Sequence, residues 1–408
     1  MKPHHSFRHA TPAQLTEHLQ DARNYTLAMF EQFSSVGLGD LTRVPHLKII
    51  NPPLWELGHI AWFAEWFVLR EAATSQPGAA RYPSLLKNSD AYFDSGAVAH
   101  DTRWSLDLPD AKSIKNYCQN VLECILKKLA HTENNDAALY PFRLVLAHED
   151  MHGEAFLYTL QTLGLATPSA LLEDNISIKP ATEIHFSGGE ILMGSAPDNG
   201  FVFDNEKWVH RVIVPPFSID SSLVTNQQFS EFIAAGGYEK KQYWSDAGWA
   251  WRTQNTRTAP RYWKRSGGNK NQQWQCLRFG ETVVLPPDQA VRHVNLYEAQ
   301  AYCAWANRRL PTETEWEFAA KNNPANTSLN INNFKWGTLW EWTQSPFTPY
   351  PGFAADAYQE YSAPWFHTHQ GLRGASFATQ TRMRAAAYRN FYTPERDDIF
   401  VGFRTCGI

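Results

Sequence analysis

The chain has 408 residues, 43% of them apolar and 19% charged, with a net charge of −4. That length accommodates two or three globular domains. The small negative charge argues against a polyanion partner such as nucleic acid and against an electrostatic membrane anchor, and no apolar run is long enough to span a bilayer.

The segment Met1-Lys2-Pro3-His4-His5-Ser6 has no apolar stretch of the kind that signals secretion. The five cysteines, Cys118, Cys124, Cys276, Cys303 and Cys406, include no C-x-x-C pair. A cytoplasmic protein with reduced thiols and no cysteine metal site is expected. Thr11, Pro12 and Gln14 form a helix start of capping-box type, followed by Leu15, Leu19, Ala22, Thr26 and Met29 at helical spacing. A second helix is expected from Pro52-Pro53 to Arg70, with Trp55, His59, Trp62, Phe63 and Trp66 on one face. A long connection, Ala72 to Pro109, contains His100-Asp101-Thr102-Arg103-Trp104. A third helix spans Ala111 to Ala130. A fourth carries Leu144, Ala147, Met151, Ala155 and Tyr158 as an apolar stripe and stops near Gly164. Four long helices with one long crossover suggest a four-helix bundle, an architecture that builds metal sites on its inward faces.

From Leu165 to Thr182 the chain reads as a linker. Short segments with glycine, proline and aromatic residues follow. Gly188 to Ser195 is expected to be a strand, as is Val209 to Ile219, broken by Pro215-Pro216. Lys240 to Gln275 is a polar, Trp-rich insertion with no assignable element. Leu296 to Asn307 reads as a helix ending in the stretch Arg308 to Glu317, and the remainder as loop-rich. The fold class expected is α+β.

His148 and His152 are four residues apart, which places them on one helix face about 6 Å apart at Cβ. Such a pair can share a metal ion. His148-Glu149-x-x-His152 is also the H-E-x-x-H pattern of zinc peptidases, in which the glutamate is the general base. The third ligand of that class would be a histidine at 158, where Tyr stands, or a glutamate about twenty residues on, where Glu173 follows Pro168 in the linker. His59 is the other candidate third ligand. Three neutral imidazoles without a carboxylate or thiolate leave open positions on a divalent ion, which suits iron(II) with substrate and O₂, or zinc with water. Three buried, hydrogen-bonded histidines with no metal are the plain structural alternative.

Gly58-His59-Ile60-Ala61-Trp62-Phe63 and His148-Glu149-Asp150-Met151-His152-Gly153-Glu154 resemble the motifs of the DinB-like four-helix bundle of ergothioneine-type sulfoxide synthases. Met193-Gly194-Ser195, Arg309-Leu310-Pro311-Thr312-Glu313, Leu339-Trp340-Glu341-Trp342-Thr343, Leu372-Arg373-Gly374-Ala375-Ser376-Phe377 and Gly402-Phe403-Arg404 resemble the formylglycine-generating-enzyme domain, a C-type-lectin-like fold. The resemblance covers nearly the whole chain. It implies a helical iron-binding domain over 1–165, a linker over 166–182 and a formylglycine-generating-enzyme-like domain over 183–408. True formylglycine generators carry a cysteine pair after the R-G-G-S-W-like motif. Ala378 to Arg384 has none, so that chemistry is excluded and the domain is expected to supply a substrate wall.

By the same resemblance His59, His148 and His152 hold Fe(II), hercynine gives its imidazole to the metal, and O₂ drives carbon–chalcogen bond formation at the imidazole C2. Tyr358 and Tyr361 match the family's Y-x-x-Y pair, with Tyr358 the donor of a proton or electron in the oxygen chemistry. Tyr361, Asn390 and Phe391 are placed beside the betaine, whose quaternary ammonium suits an aromatic face. Glu149 and Glu154 are expected to orient the histidines. Where thiol-using relatives can carry an acid, this chain has Tyr392, and where they often carry glutamine it has Met151. Arg103 and Arg396 are the candidates for binding donor carboxylates. These departures, and the stretches around His59, His100 and His148, look closest to the selenoneine synthase subgroup, which takes selenium from a selenosugar. A sulfoxide synthase using γ-glutamylcysteine or cysteine, a zinc hydrolase and a catalytically inert binding module are the competing readings.

Overall fold

The computed structural model describes residues 6–168, 177–178, 181–267, 273–322 and 334–408. Glu173, residues 169–176 and 179–180 of the expected linker, and residues 268–272 of the Trp-rich insertion lie outside the described residues.

Helix α1 (Pro12–Ser35) starts at the expected capping box, with Thr11 and Gln14 bonding each other's backbone N–H. Its buried stripe includes Leu15, Leu19, Ala22, Met29, Phe30 and Phe33. Helix α2 (Pro53–Ala64) is buried on every side, and its apolar composition is what permits that. It continues through one π turn, Glu65–Leu69, to Arg70. The buried Glu65 carboxylate there accepts from Ser84 Oγ and Tyr117 OH, which ties the crossover and the next long helix to the end of α2.

The crossover holds a short helix, α3 (Ser89–Phe93), and a 3₁₀ segment, His100–Ser105. Helix α4 (Ala111–Leu129) is capped by Asp110. Helix α5 (Asp136–Leu163) is capped by Asn135 and ends at Gly164, whose φ of 66° lies in the left-handed region that glycine adopts freely. In the bundle α1 packs on α5 and α2 on α4, while α2 also touches α5. Trp55, Leu57, Ile60 and Phe63 meet Leu146, Ala147 and Phe156 in its interior. Each leucine, isoleucine or phenylalanine among them contributes about 1.5–3 kcal/mol by leaving water.

The rest of the chain is built from short strands and helices. Strands β1 (Glu183–Phe186), β2 (Gly189–Met193), β3 (His210–Val214) and β4 (Phe217–Asp220) form two antiparallel pairs, β1 with β4 and β2 with β3. The Val209–Ile219 segment is therefore two strands in two sheets, because Pro215-Pro216 cannot donate to a ladder. Helix α6 (Asn226–Ala234) follows a Thr225/Gln228 capping box. The Trp-rich insertion folds as α7 (Asp246–Gln254), β5 (Trp263–Arg265) and the start of β6 (Trp274–Arg278), which pairs on with β7 (Glu281–Val284).

Helix α8 (Leu296–Trp305) is the predicted one. The stretch after it is not simply its end: a new helix, α9 (Glu313–Lys321), opens on a Thr312/Glu315 capping box. Strands β8 (Trp340–Pro346), β9 (Gln370–Gly374), β10 (Asn390–Tyr392) and β11 (Val401–Gly402) form a sheet in the order β10-β9-β8-β11, with β11 parallel to β8 and the other pairs antiparallel. Behind the sheet, Arg389 grips Glu313 and Arg404 grips Glu341, each with two hydrogen bonds. The architecture is α+β, and one apolar core runs through both parts.

Helix α5 carries the main polar contacts between the parts. Arg382 makes two bonds to Asp150 and one to Asp21 of α1. Gln161 accepts from Phe279 N and donates to Leu277 O. From the other side, Arg8 bonds Glu206 and the Phe201 carbonyl.

Candidate active site

His59, from the middle of α2, meets His148 and His152, one turn apart on α5. Their ligand atoms all lie within 4.8 Å of one another. The Nε2 atoms of His148 and His152 are 3.2 Å apart. The opposite nitrogens explain this approach. His152 Nδ1 is 2.7 Å from Glu56 Oε1, and His59 Nδ1 is 2.8 Å from the Phe93 carbonyl oxygen. A ring nitrogen facing an oxygen carries the proton and donates it, which leaves the Nε2 of both rings as lone pairs. Burial, and then the charge of His152, hold His59 and His148 well below the usual imidazole pKa, so both rings are neutral. Aromatic faces fix the planes: Phe63 stacks on His148 at 3.6 Å and 4°, and Trp55 on His59 at 5.0 Å and 8°.

Three converging imidazoles with no carboxylate or thiolate fit a divalent first-row metal ion and leave it open positions. Gly58 is required beside them. A Cβ there would stand 2.3 Å from the Phe93 ring, whose backbone carbonyl holds His59.

The two glutamates of the α5 motif do not orient the histidines. Glu149 is buried and turned toward α1, where Arg23 Nε and Nη2 bind its two oxygens at 2.7 and 3.1 Å. Glu154 points toward the sheet and accepts from Ser376 Oγ, Thr379 Oγ1 and Trp340 Nε1 at 2.6, 2.7 and 2.9 Å. Successive helix positions are about 100° apart, so neither shares the face of its neighbouring histidine. Glu56 and the Phe93 carbonyl take the orienting role. Sequence reasoning missed Glu56. Its signal was a single acid in an otherwise apolar turn, three residues before His59. The placement of Glu149 also removes the general base that a zinc hydrolase needs.

Tyr358 reaches the cluster from the second part of the chain. Its ring centroid is 4.9 Å from Phe63 and 6.0 Å from His148. Burial, then Glu360 and Asp204, raise its phenol above the ordinary value, which keeps its proton in place. Tyr361 lies 5.7 Å from Tyr358 and 5.9 Å from Phe391. Phe391 is stacked on Phe347 at 4.1 Å. Asn390 begins β10, and its side-chain oxygen accepts from Phe391 N at 2.8 Å. A file of rings thus leads from His148 through Tyr358 and Tyr361 to Phe391.

The expected donor-side residues fall in two places. Arg103 lies 3.8 Å over Trp55, the ring that stacks on His59. It donates to Asn51 Oδ1 and the Val98 carbonyl and has no carboxylate at ion-pair distance among the described residues. Burial pulls its guanidinium down to about 10. Arg396 sits 5.0 Å over the Tyr392 ring and 5.8 Å over Tyr158, and both arms of its fork bind Asp398 at 2.7 and 2.8 Å. Met151 is half-buried beside His152 and packs on the common core.

No helix among the described residues is long and apolar enough to cross a membrane. The sulfatase-modifying factor enzyme 1-like domain family matches residues 168–338. The chain is 32% identical to the hercynine oxygenase of Mycolicibacterium thermoresistibile over 96% of this chain and 94% of that protein. It is 33% identical to the hercynine oxygenase of Mycobacterium tuberculosis, covering 97% of this chain and 98% of that one. With the formylglycine-generating enzyme of Streptomyces coelicolor it shares 30% identity over 42% of this chain and 56% of that one.

Proposed function

The chain belongs to the hercynine oxygenase family, and from that premise we propose that it is a non-haem iron(II) enzyme that uses O₂ to join selenium from a selenosugar to C2 of the hercynine imidazole. The observation that carries the reading is the buried His59–His148–His152 cluster, with its proton-bearing nitrogens held by Glu56 and the Phe93 carbonyl. In this reading residues 1–165 are a DinB-like, iron-holding domain, 166–182 a linker and 183–408 a lectin-like domain, and the enzyme works in the cytoplasm.

His59, His148 and His152 would hold iron(II), which when bound would supply the O₂ activation. Joining the C2–H carbon to the chalcogen removes two electrons and two hydrogens, which take O₂ to hydrogen peroxide; where the chalcogen is oxygenated as well, two more electrons are removed and O₂ ends as one chalcogen-bound oxygen and one water. The remaining work belongs to the chain. Phe391 and Tyr361 face the trimethylammonium group, which has no N–H to donate and is attracted to ring faces. Asn390 borders the same place. Tyr358 holds a proton beside His148 and delivers it in the oxygen chemistry. The surrounding aromatic residues exclude bulk water.

Two features support a neutral donor. Tyr392 is a phenol where an acid would hold an amino group, and Asp398 already satisfies the charge of Arg396. A cysteine-derived thiol is the second reading, favoured by Arg103, a half-buried cation that a donor carboxylate would pair. The deciding experiment gives hercynine and then air to anaerobically purified, Fe(II)-loaded protein, in parallel with a selenosugar, γ-glutamylcysteine or cysteine. A selenium-bearing product by mass spectrometry, formed only with the selenosugar, supports the first reading. A sulfoxide with either thiol replaces it with the second. No product and no O₂ uptake, with iron bound, sinks both.

A further inference from the structure

The Trp-rich insertion has no place in the chemistry above, yet two of its arginines reach the site's far wall. Arg257 Nη2 bonds Asp397 Oδ2 at 2.5 Å and Arg261 Nη1 bonds Asp397 Oδ1 at 2.8 Å, so each carboxylate oxygen is held by a different arginine. The next residue, Asp398, is the one that grips Arg396. Both aspartates are buried, at 5% and 0% exposure. Arg396 in turn lies over Tyr392 of β10 and Tyr158 of α5, and its Nη2 approaches the Ile49 carbonyl at 3.5 Å. The same insertion grips the end of α5 through Thr162 and Tyr262, and the β6–β7 turn next to it bonds Gln161.

We propose that Arg257 and Arg261 are positioning residues for the donor-binding wall: by holding Asp397, they leave Arg396 to Asp398 and so set where Arg396 and Tyr392 stand. This rests on the functional reading above, which places the chalcogen donor against Tyr392. The physical argument is competition. Two adjacent buried carboxylates face three guanidiniums, and burial makes an unpaired carboxylate far costlier than a paired one. Without Arg257 and Arg261, Asp397 is left as an unpaired buried carboxylate, and Arg396, the residue before it in the chain, is a cation for it to recruit. That recruitment draws the 393–398 loop away from Tyr392 and Tyr158. Tyr361 and Phe391 on the hercynine side, and the three histidines, lie outside the 393–398 loop.

The test is the double variant Arg257→Gln/Arg261→Gln, assayed with the selenosugar and in parallel with γ-glutamylcysteine. The donor KM should rise about 10-fold, the scale of a lost charged hydrogen bond, while the hercynine KM and the iron content hold. Adding Asp397→Asn removes the unpaired charge and should restore the donor KM to within about 3-fold. Unchanged donor KM, or both KM values rising together, overturns the proposal. If the double variant does not fold, the single variants Arg257→Gln and Arg261→Gln each release one Asp397 oxygen to compete for Arg396 and should each raise the donor KM; no rise in either overturns the idea. If the wild-type protein turns over neither donor, the functional reading fails, and a crystal structure of the double variant decides this one. Arg396 turned from Asp398 toward Asp397 sustains it; Arg396 unmoved refutes it.

Discussion

Replacing Glu56 by alanine tests the metal site without touching a ligand. Glu56 is 1% exposed, and its Oε1 lies 2.7 Å from His152 Nδ1. A hydrogen bond to a charged group in such a place nets about 1.5–3 kcal/mol, and each 1.4 kcal/mol is a factor of ten. The alanine variant should therefore bind metal roughly 10- to 100-fold more weakly, the range seen when the partner of a metal-bound histidine is removed. Glu56→Gln keeps an acceptor oxygen and loses the charge, so its loss should be smaller, about 5-fold. Anaerobic titration of Fe(II) against a competing chelator measures both. The melting temperature of the metal-free proteins is the control. Alanine-variant affinity within 2-fold of wild type would refute the orienting role. So would a weakened affinity fully matched by loss of the metal-free fold.

Four further outcomes follow from the same geometry. Gly58→Ala puts a Cβ 2.3 Å from Phe93, so thermal denaturation should show a loss of about 1–3 kcal/mol, with reduced metal content. Arg23→Leu leaves the buried Glu149 carboxylate unpaired and should cost about 3–5 kcal/mol in urea unfolding; Arg23→Leu/Glu149→Leu should recover most of it, and a double variant as unstable as the single would defeat the charge argument. Asp204 is raised by burial from the usual 3.8 to about 6, so the folded protein binds its proton more tightly and this group's stabilisation falls as pH rises from about 4 to 6. Asp204→Asn should thus gain roughly 2–3 kcal/mol on wild type between pH 4 and pH 7, read from unfolding curves at the two pH values, and a constant difference would contradict it. Tyr358→Phe should lower kcat about 100-fold at unchanged hercynine KM; a kcat equal to wild type would remove the tyrosine from the chemistry.

Much of the frame is legible because it rests on local rules. The capping box at Thr11, the i,i+4 histidines and the proline break at 215–216 each dictate their structure within a few residues. Helix α9 obeyed the same rule through Thr312 and Glu315 and was overlooked beside the preceding helix. The insertion was illegible for a different reason. Only Gly248 of α7 is buried, so no apolar stripe marks it, and its structure comes from contacts with residues far along the chain. The partners of Glu149 and Glu154 were hidden likewise. Adjacency in the motif suggested service to the histidines, whereas helix rotation sends one to Arg23 and the other to Ser376 and Thr379.

Helix α5 has two trades on opposite sides. One side presents His148 and His152 to α2, and the other presents Asp150, Glu154 and Gln161 to the strand-rich part. A rod gripped on one side and loaded on the other acts as an axle. Any shift of the strand-rich part that keeps hold of those three residues turns or slides the two imidazoles relative to His59. The halves of this protein are therefore poor candidates for exchange as independent modules. A graft that altered the grip on Asp150 or Glu154 would retune the histidine cluster without changing a single ligand.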